Sequence, residues 1–170
     1  MFFDEAGVDS DIQNDYALSE KGKRAYGKRS NGRRSRVNLL AGLGIDGIKA
    51  PFRFYGNING EILKKYFIEV FVKELKPNSV VVMDNASFHK SKEIKKAIEE
   101  KGCILLNLPA YSPDLNPIEQ FWSQLKRLVK EGKKKVDSTV EAIDQAFKQL
   151  INLDPSGYFE HFFKIIHRSF

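Results

Sequence analysis

Three carboxylates stand out from their surroundings in this chain. Asp4 directly follows Phe2-Phe3, Asp84 directly follows the apolar run Val80-Val81-Val82-Met83, and Glu119 sits in Asn116-Pro117-Ile118-Glu119, where a helix should open. Between Lys21 and Arg36 lie eight Lys or Arg residues and no acid. Acids gathered from separate places would repel one another and resist ionisation unless cations neutralise them. Mg²⁺ suits that role, since it takes oxygen ligands and keeps waters for a substrate. Two such ions about 3.5–4 Å apart can activate a water or a 3′-hydroxyl and stabilise a leaving oxygen, so no nucleophilic side chain is needed. Acids of this kind on a basic protein point to metal-dependent work on a phosphodiester.

Each acid also has a plainer role. Asp84 can close an Asx-turn at a strand end. Asp4 can do the same, and Glu5 beside it is an alternative; Asp4 is preferred because it follows the apolar pair directly and Glu5 points to the opposite face. Asn116 suits an N-cap and Pro117 a first helical position. Glu119 then has capping-box spacing and could bond back to the Asn116 N–H. The case for chemistry rests on the three together, with 34 residues between Asp84 and Glu119.

The charge is local. Of 28 basic residues, eight fall within 21–36, which leaves 20 against 22 acidic ones elsewhere, a net of −2 in a chain of net +6. Such a strip suits a polyanion, and Tyr26, Gly27, Asn31 and Gly32 interleave its charges; a solvated loop is the alternative. Lys28, Arg29, Arg33, Arg34 and Arg36 are its candidate DNA contacts. Glu119, Ser123, Lys126 and Lys130 form a polar stripe beside the apolar Ile118, Trp122, Leu125 and Val129, making Lys126 and Lys130 further candidates, although a plain solvated face fits too. Lys133-Lys134-Lys135 could touch phosphates or simply keep a helix end soluble.

Cys103 is the single cysteine, so no intrachain disulfide can form, and a reducing cytoplasm is the expected setting. In Cys103-Ile104-Leu105-Leu106 it reads as a buried hydrophobe. The first five residues lack the pattern of a signal peptide, and no stretch approaches the roughly 20 apolar residues of a membrane span, so no membrane partner is expected.

The elements that must position the acids follow from pattern. Residues 1–5 read as the end of a strand and 6–35 mostly as loop. Val37–Ile45 and Ile48–Tyr55 are β-prone runs joined by Asp46-Gly47, a hairpin signal. Ile62 to Leu75 has helical spacing, and Ser79–Met83 reads as a strand buried on both faces. Ser91–Lys101 is a helix ended by Gly102, residues 103–108 a strand, and Pro117 to about Lys130 a helix. From Ser138 the chain is helical, broken at Asp154-Pro155. This order predicts an α/β fold of the ribonuclease H-like kind, a mixed five-stranded sheet flanked by helices, with the first and fourth strands adjacent. Asp4 and Asp84 would then be neighbours at one sheet edge.

Val81-Val82-Met83-Asp84-Asn85-Ala86-Ser87-Phe88-His89-Lys90 and the run from Leu108 through Ser112-Pro113-Asp114-Leu115-Asn116-Pro117-Ile118-Glu119 to Trp122 closely resemble the mariner superfamily of cut-and-paste transposases. The bacterial insertion-sequence branch is the nearest in look. Phe3-Asp4-Glu5-Ala6-Gly7 matches the place of that family's first acid, and the resemblance covers nearly all of residues 1–130. It implies a catalytic triad of Asp4, Asp84 and Glu119 holding Mg²⁺, for which Mn²⁺ can substitute. It also implies nicking at transposon ends, attack of the freed 3′-hydroxyl on target DNA (usually at TA), a homodimer, and work at the bacterial nucleoid. By the same resemblance Asp114 and Asn116 aim Glu119 without binding metal. His89 is read as a turn or phosphate contact rather than a base, and Trp122 as core.

The expected organisation is a catalytic domain over 1–132 with a helical extension of the same domain over 133–170. The N-terminal helix-turn-helix module usual in the family is expected to be absent. Two rival readings are another ribonuclease H-like nuclease, such as a resolvase, and an inactive remnant that binds DNA or a full-length partner.

Overall fold

In an extended chain from Phe2 to Asp9, Phe2, Ala6 and Val8 fall on one side together with Asp4. In the computed structural model, which describes residues 1–10, 19–24, 35–86, 91–110, 112–152 and 154–168, this stretch is one strand, β1 (Phe2–Asp9). The strand therefore runs four residues past its expected end. Ala6 and Val8 continue the buried face begun by Phe2, and the whole length pairs with the next strand, from Phe2 opposite Leu43 to Asp9 opposite Arg36.

That partner is β2 (Arg36–Gly44), joined to β3 (Gly47–Tyr55) by the expected hairpin. Gly47 takes φ 109°, a conformation that favours glycine, directly after the Ile45-Asp46 turn. Helix α1 (Gly60–Tyr66) starts at Asn59, whose side chain accepts the Ile62 N–H at 2.9 Å. It runs through a π-helical stretch (Phe67–Phe71) into the short α2 (Val72–Glu74), so the single helix read from periodicity carries a widened turn. Around that turn Phe67 and Phe71 both close on Phe3, with ring centroids 4.5 and 5.1 Å apart.

The remaining elements are β4 (Val80–Met83), α3 (Lys92–Glu100), β5 (Ile104–Asn107), α4 (Ile118–Gly132), α5 (Thr139–Leu150) and α6 (Ser156–Arg168), with a 3₁₀ turn (Pro113–Leu115) before α4. Strand order is β3-β2-β1-β4-β5; β1 pairs parallel with β4, and β4 with β5. The expected ribonuclease H-like sheet is present, with β1 at its centre.

Two cores sandwich the sheet. On one face Phe3, Leu40, Val81 and Met83 meet α1, the π turn and α3; on the other Phe2, Ala6, Val8 and Val82 meet α4, α5 and α6. Ala142, Ile143 and Ala146 of α5 and Phe159 of α6 belong to the same core as α4. Arg53 of β3 makes two hydrogen bonds to Asp144 of α5, at 2.8 and 3.0 Å, at the rim. Cys103 is buried, its thiol directed to the Lys76 carbonyl at 3.2 Å, and Trp122 lies in the core, both as read from their neighbours. The apolar run expected to be buried on both faces is only partly so: Val80 and, on β5, Ile104 and Leu106 are exposed. They share a face with Val82, and the helices on that face stop short of the edge strand. Among the described residues no helix is long and apolar enough to cross a membrane.

Phe3 fills the aromatic core completely, whereas the Arg53–Asp144 pair is half in water. Phe3→Ala should cost about 3–5 kcal/mol in urea unfolding and Arg53→Ala less than about 1 kcal/mol. A larger loss for Arg53→Ala would show that the rim, rather than the aromatic core, holds the fold.

Candidate active site

The parallel register sets the first two acids side by side. Phe2 of β1 stands opposite Val82 of β4, so two residues further along Asp4 comes level with Asp84, the residue after β4 ends. They meet at the end of the central strand pair rather than at an outer edge of the sheet. Alternation along β1 places Asp4 with Phe2, Ala6 and Val8 on the α4 face, and Glu5 with Phe3 on the other. Asp4 lines the cavity described below and Glu5 does not.

The third acid arrives by a different route. In the 3₁₀ turn the Asn116 N–H donates to the Pro113 carbonyl at 2.9 Å, and the Glu119 N–H donates to the Asn116 carbonyl at 3.1 Å. The expected side-chain cap from Asn116 is not made, because Pro117 holds the cap position and α4 begins at Ile118. The capping box is likewise not made, since the Asn116 N–H it needs is already taken. Glu119 is exposed and faces the cavity. Asp84 does make its Asx-turn, accepting the Ala86 N–H at 3.0 Å. A carboxylate has two oxygens and about four acceptor sites, so the turn fixes Asp84 without using it up.

Asp4, Asp84 and Glu119 line one cavity of about 380 Å³, walled by Asn85, Leu108, Pro109 and Asn116. Asp4 is only 6% exposed. Burial pushes its carboxyl up to about 8, and the negative charges of Glu5, Glu119 and Asp84 add to the effect, while a hydrogen bond from the Glu5 backbone opposes it. Among the described residues Asp4 has no ion-pair partner. Asn116, 5% exposed, leaves its side-chain oxygen without a donor at the cavity wall. The side-chain donors of the three acids are all oxygens, one of them on a buried carboxyl, and such a set suits Mg²⁺ or Mn²⁺ rather than a soft metal. Among the described residues no three His, Cys, Asp or Glu side chains are close enough together to ring one ion.

Of the basic candidates, Arg36 opens β2 and lies across the backbone of Gly7, where a side chain would collide with its guanidinium. Lys126 and Lys130 are half-buried on α4, and among the described residues neither pairs with an acid. Lys28, Arg29, Arg33, Arg34 and His89 lie outside the described residues. The pattern-based reading missed Asn116 as a buried wall residue. The signal was Pro117, which takes the cap position itself.

A family model described as DDE superfamily endonuclease matches residues 1–141. The Tcb2 transposase of Caenorhabditis briggsae is 43% identical over 51 residues, covering 30% of this chain and 19% of that protein. The Mos1 mariner paired-end complex with Mn superposes with a TM-score of 0.69 at 18% identity, over 98% of this chain and 52% of that one. The catalytic domain of Mos1 mariner transposase gives 0.61 at 15% identity, over 98% and 76%. At such identities the structural likeness speaks to the fold. The chain spans about a fifth of the Tcb2 protein and about half of the chain in the Mos1 complex.

The raised Asp4 group has a consequence for stability. Between its ordinary value near 3.8 and about 8, the folded chain keeps a proton that the unfolded chain has lost. Stability therefore falls as pH rises through that window, and the penalty is complete above it. Asp4→Asn should melt at least about 4 °C above the parent at pH 8 in EDTA, with no gain near pH 4. Equal melting temperatures at both pH values would show that Asp4 is not held protonated.

Proposed function

The chain belongs to the DDE superfamily endonuclease family, and from that premise we propose that it is the catalytic domain of a DDE-type transposase. It would cut DNA strands hydrolytically at element ends and join the freed 3′-hydroxyl to target DNA. The observation that carries this reading is that three acids, from a central strand, a strand end and a helix start, line one cavity. Mg²⁺ or Mn²⁺ would be held by Asp4, Asp84 and Glu119, and when bound would supply Lewis-acid activation of the attacking oxygen and stabilise the leaving one.

The protein's own groups have distinct tasks. Asp4, fixed in the sheet and shielded from water, gives up its proton as a cation arrives, so metal affinity rises with pH up to about 8. Asp84 is oriented by the Ala86 N–H. Glu119 stands in the first turn of α4 and faces the cavity. Leu108 and Pro109 close one side of the cavity against bulk water. The basic segment around Lys28, Arg29, Arg33, Arg34 and Arg36 would supply phosphate contacts to transposon ends and target DNA. A TA target and a homodimeric assembly complete the proposal. The helices of 133–170 would serve the catalytic unit of 1–132 as buttresses, since α5 and α6 share its core.

Nicking of supercoiled DNA in Mn²⁺ tests the assignment. The parent should nick; Asp84→Asn should lose at least about 100-fold in rate while binding DNA as well or better, because a charge that repels phosphates is gone. Equal nicking by both proteins would overturn the triad.

A further inference from the structure

The turn before α4 holds a polar side chain whose hydrogen-bonding capacity the described chain leaves unused. Asn116 precedes Pro117, and a residue before proline is held to extended backbone, as its φ of −115° and ψ of 96° show. Both of its main-chain groups are spent: the N–H donates to the Pro113 carbonyl at 2.9 Å, and the carbonyl accepts the Glu119 N–H at 3.1 Å. Pro117 and Ile118 are buried directly after it, so the backbone is fixed on both sides. That backbone aims Glu119 without help from the carboxamide. The side chain is left for another task.

Asn116 is 5% exposed, and its Oδ1 is shut off from solvent with no donor among the described residues. A buried acceptor without a donor is a net cost to the fold, which an apolar side chain of similar shape would remove. The position is the wall between two concavities: the catalytic cavity, and a second of about 430 Å³ that opens along α4 past Gln120 and Ser123. Glu119 lines both as well. Among the described residues its carboxylate makes neither a hydrogen bond nor an ion pair. Two neighbouring oxygen groups, one charged and one neutral, therefore border the same space with nothing from the protein to join them.

Either a hydrogen-bond donor or a cation would join them, and the surroundings favour a cation. The hydroxyl in that wall, Ser112, is directed to the Ala110 carbonyl at 3.4 Å, and Asn85 is exposed. The remaining polar side chains of the catalytic cavity are the carboxylates of Asp4 and Asp84. Hard divalent cations accept side-chain amide carbonyls alongside carboxylates, at about 2.0–2.6 Å. That is inside hydrogen-bond distance, so an oxygen too enclosed for water is still within a cation's reach. A neutral carbonyl also adds a ligand without adding to the mutual repulsion of three acids.

We propose that Asn116 is a neutral oxygen ligand, through Oδ1, of a divalent cation bound on the Glu119 side of the cavity. The inference rests on the metal-dependent reading and adds a fourth side chain to the three acids. It departs from the role that the family resemblance implies for Asn116, which is to serve without binding metal.

Mn²⁺ binding by the full chain, followed by titration calorimetry at pH 8, tests this, with melting in EDTA as a second readout. Asn116→Leu should raise the Mn²⁺ dissociation constant at least about tenfold. The same variant should melt in EDTA at or above the parent's temperature, because the buried acceptor is gone. Asn116→Asp keeps an oxygen in place and should bind Mn²⁺ at least as tightly as the parent, a rescue that a purely structural amide would not give. If Asn116→Leu melts well below the parent in EDTA and Asn116→Asp fails to hold Mn²⁺, the amide is structural and the ligand assignment is wrong. If the parent binds Mn²⁺ and nicks DNA while Asn116→Leu keeps the parent's affinity, the assignment is wrong and the cleavage reading stands. If the parent binds no Mn²⁺, both are wrong.

Discussion

A carboxyl group cut off from water and set among other acids is costly, and the Asp4 carboxyl is in that position. It sits on the central strand with covered sheet faces on both sides, and Glu5, Asp84 and Glu119 add negative charge around it. The protein meets the cost by leaving the proton on. Under the proposed function, a bound cation would supply the counter-charge and displace that proton. The other features of the site are arranged around this constraint. The neighbouring acids come from separate elements rather than from one flexible loop, so they are held at the cavity wall by the fold.

The scaffold explains why such a strained group does not simply turn away. β1 is paired along its whole length with β2 and packed on both faces, by the aromatic group around Phe3 below and by α4 above. Rotating Asp4 outward would mean shifting the strand and exposing Phe2 or Phe3. α4 then serves two ends: its buried line locks the helix to the sheet, and that placement presents Glu119 to the cavity. A close-packed interior of this kind transmits small errors, so the distances between the acids depend on residues that never touch substrate.

Much of this was legible in the sequence because the signals were local. An acid directly after a continuous apolar run, as at Met83-Asp84, marks a strand end, and Asp46-Gly47 marks a hairpin whatever the rest of the chain does. The amphipathic stripe of α4 followed from spacing alone. What was not legible depended on tertiary neighbours. Residues Ala6 to Asp9 are too polar and glycine-bearing to read as strand, yet β2 offers them a full ladder of partners. The exposure of Ile104 and Leu106 follows from how far the helices reach across the sheet, which no local pattern records. Asn116 was taken for a cap because its type suits one; Pro117 displaced it, and its side chain became part of the cavity wall.

The central claim is that Asp4, Asp84 and Glu119 form one divalent-metal site. Its most direct test is a crystal of the protein grown with Mn²⁺ at pH 8 and measured for anomalous scattering. The account predicts Mn²⁺ density within coordination distance of all three carboxylates. Mn²⁺ bound elsewhere on the protein, or a cavity with its three acids and no anomalous peak, would contradict it.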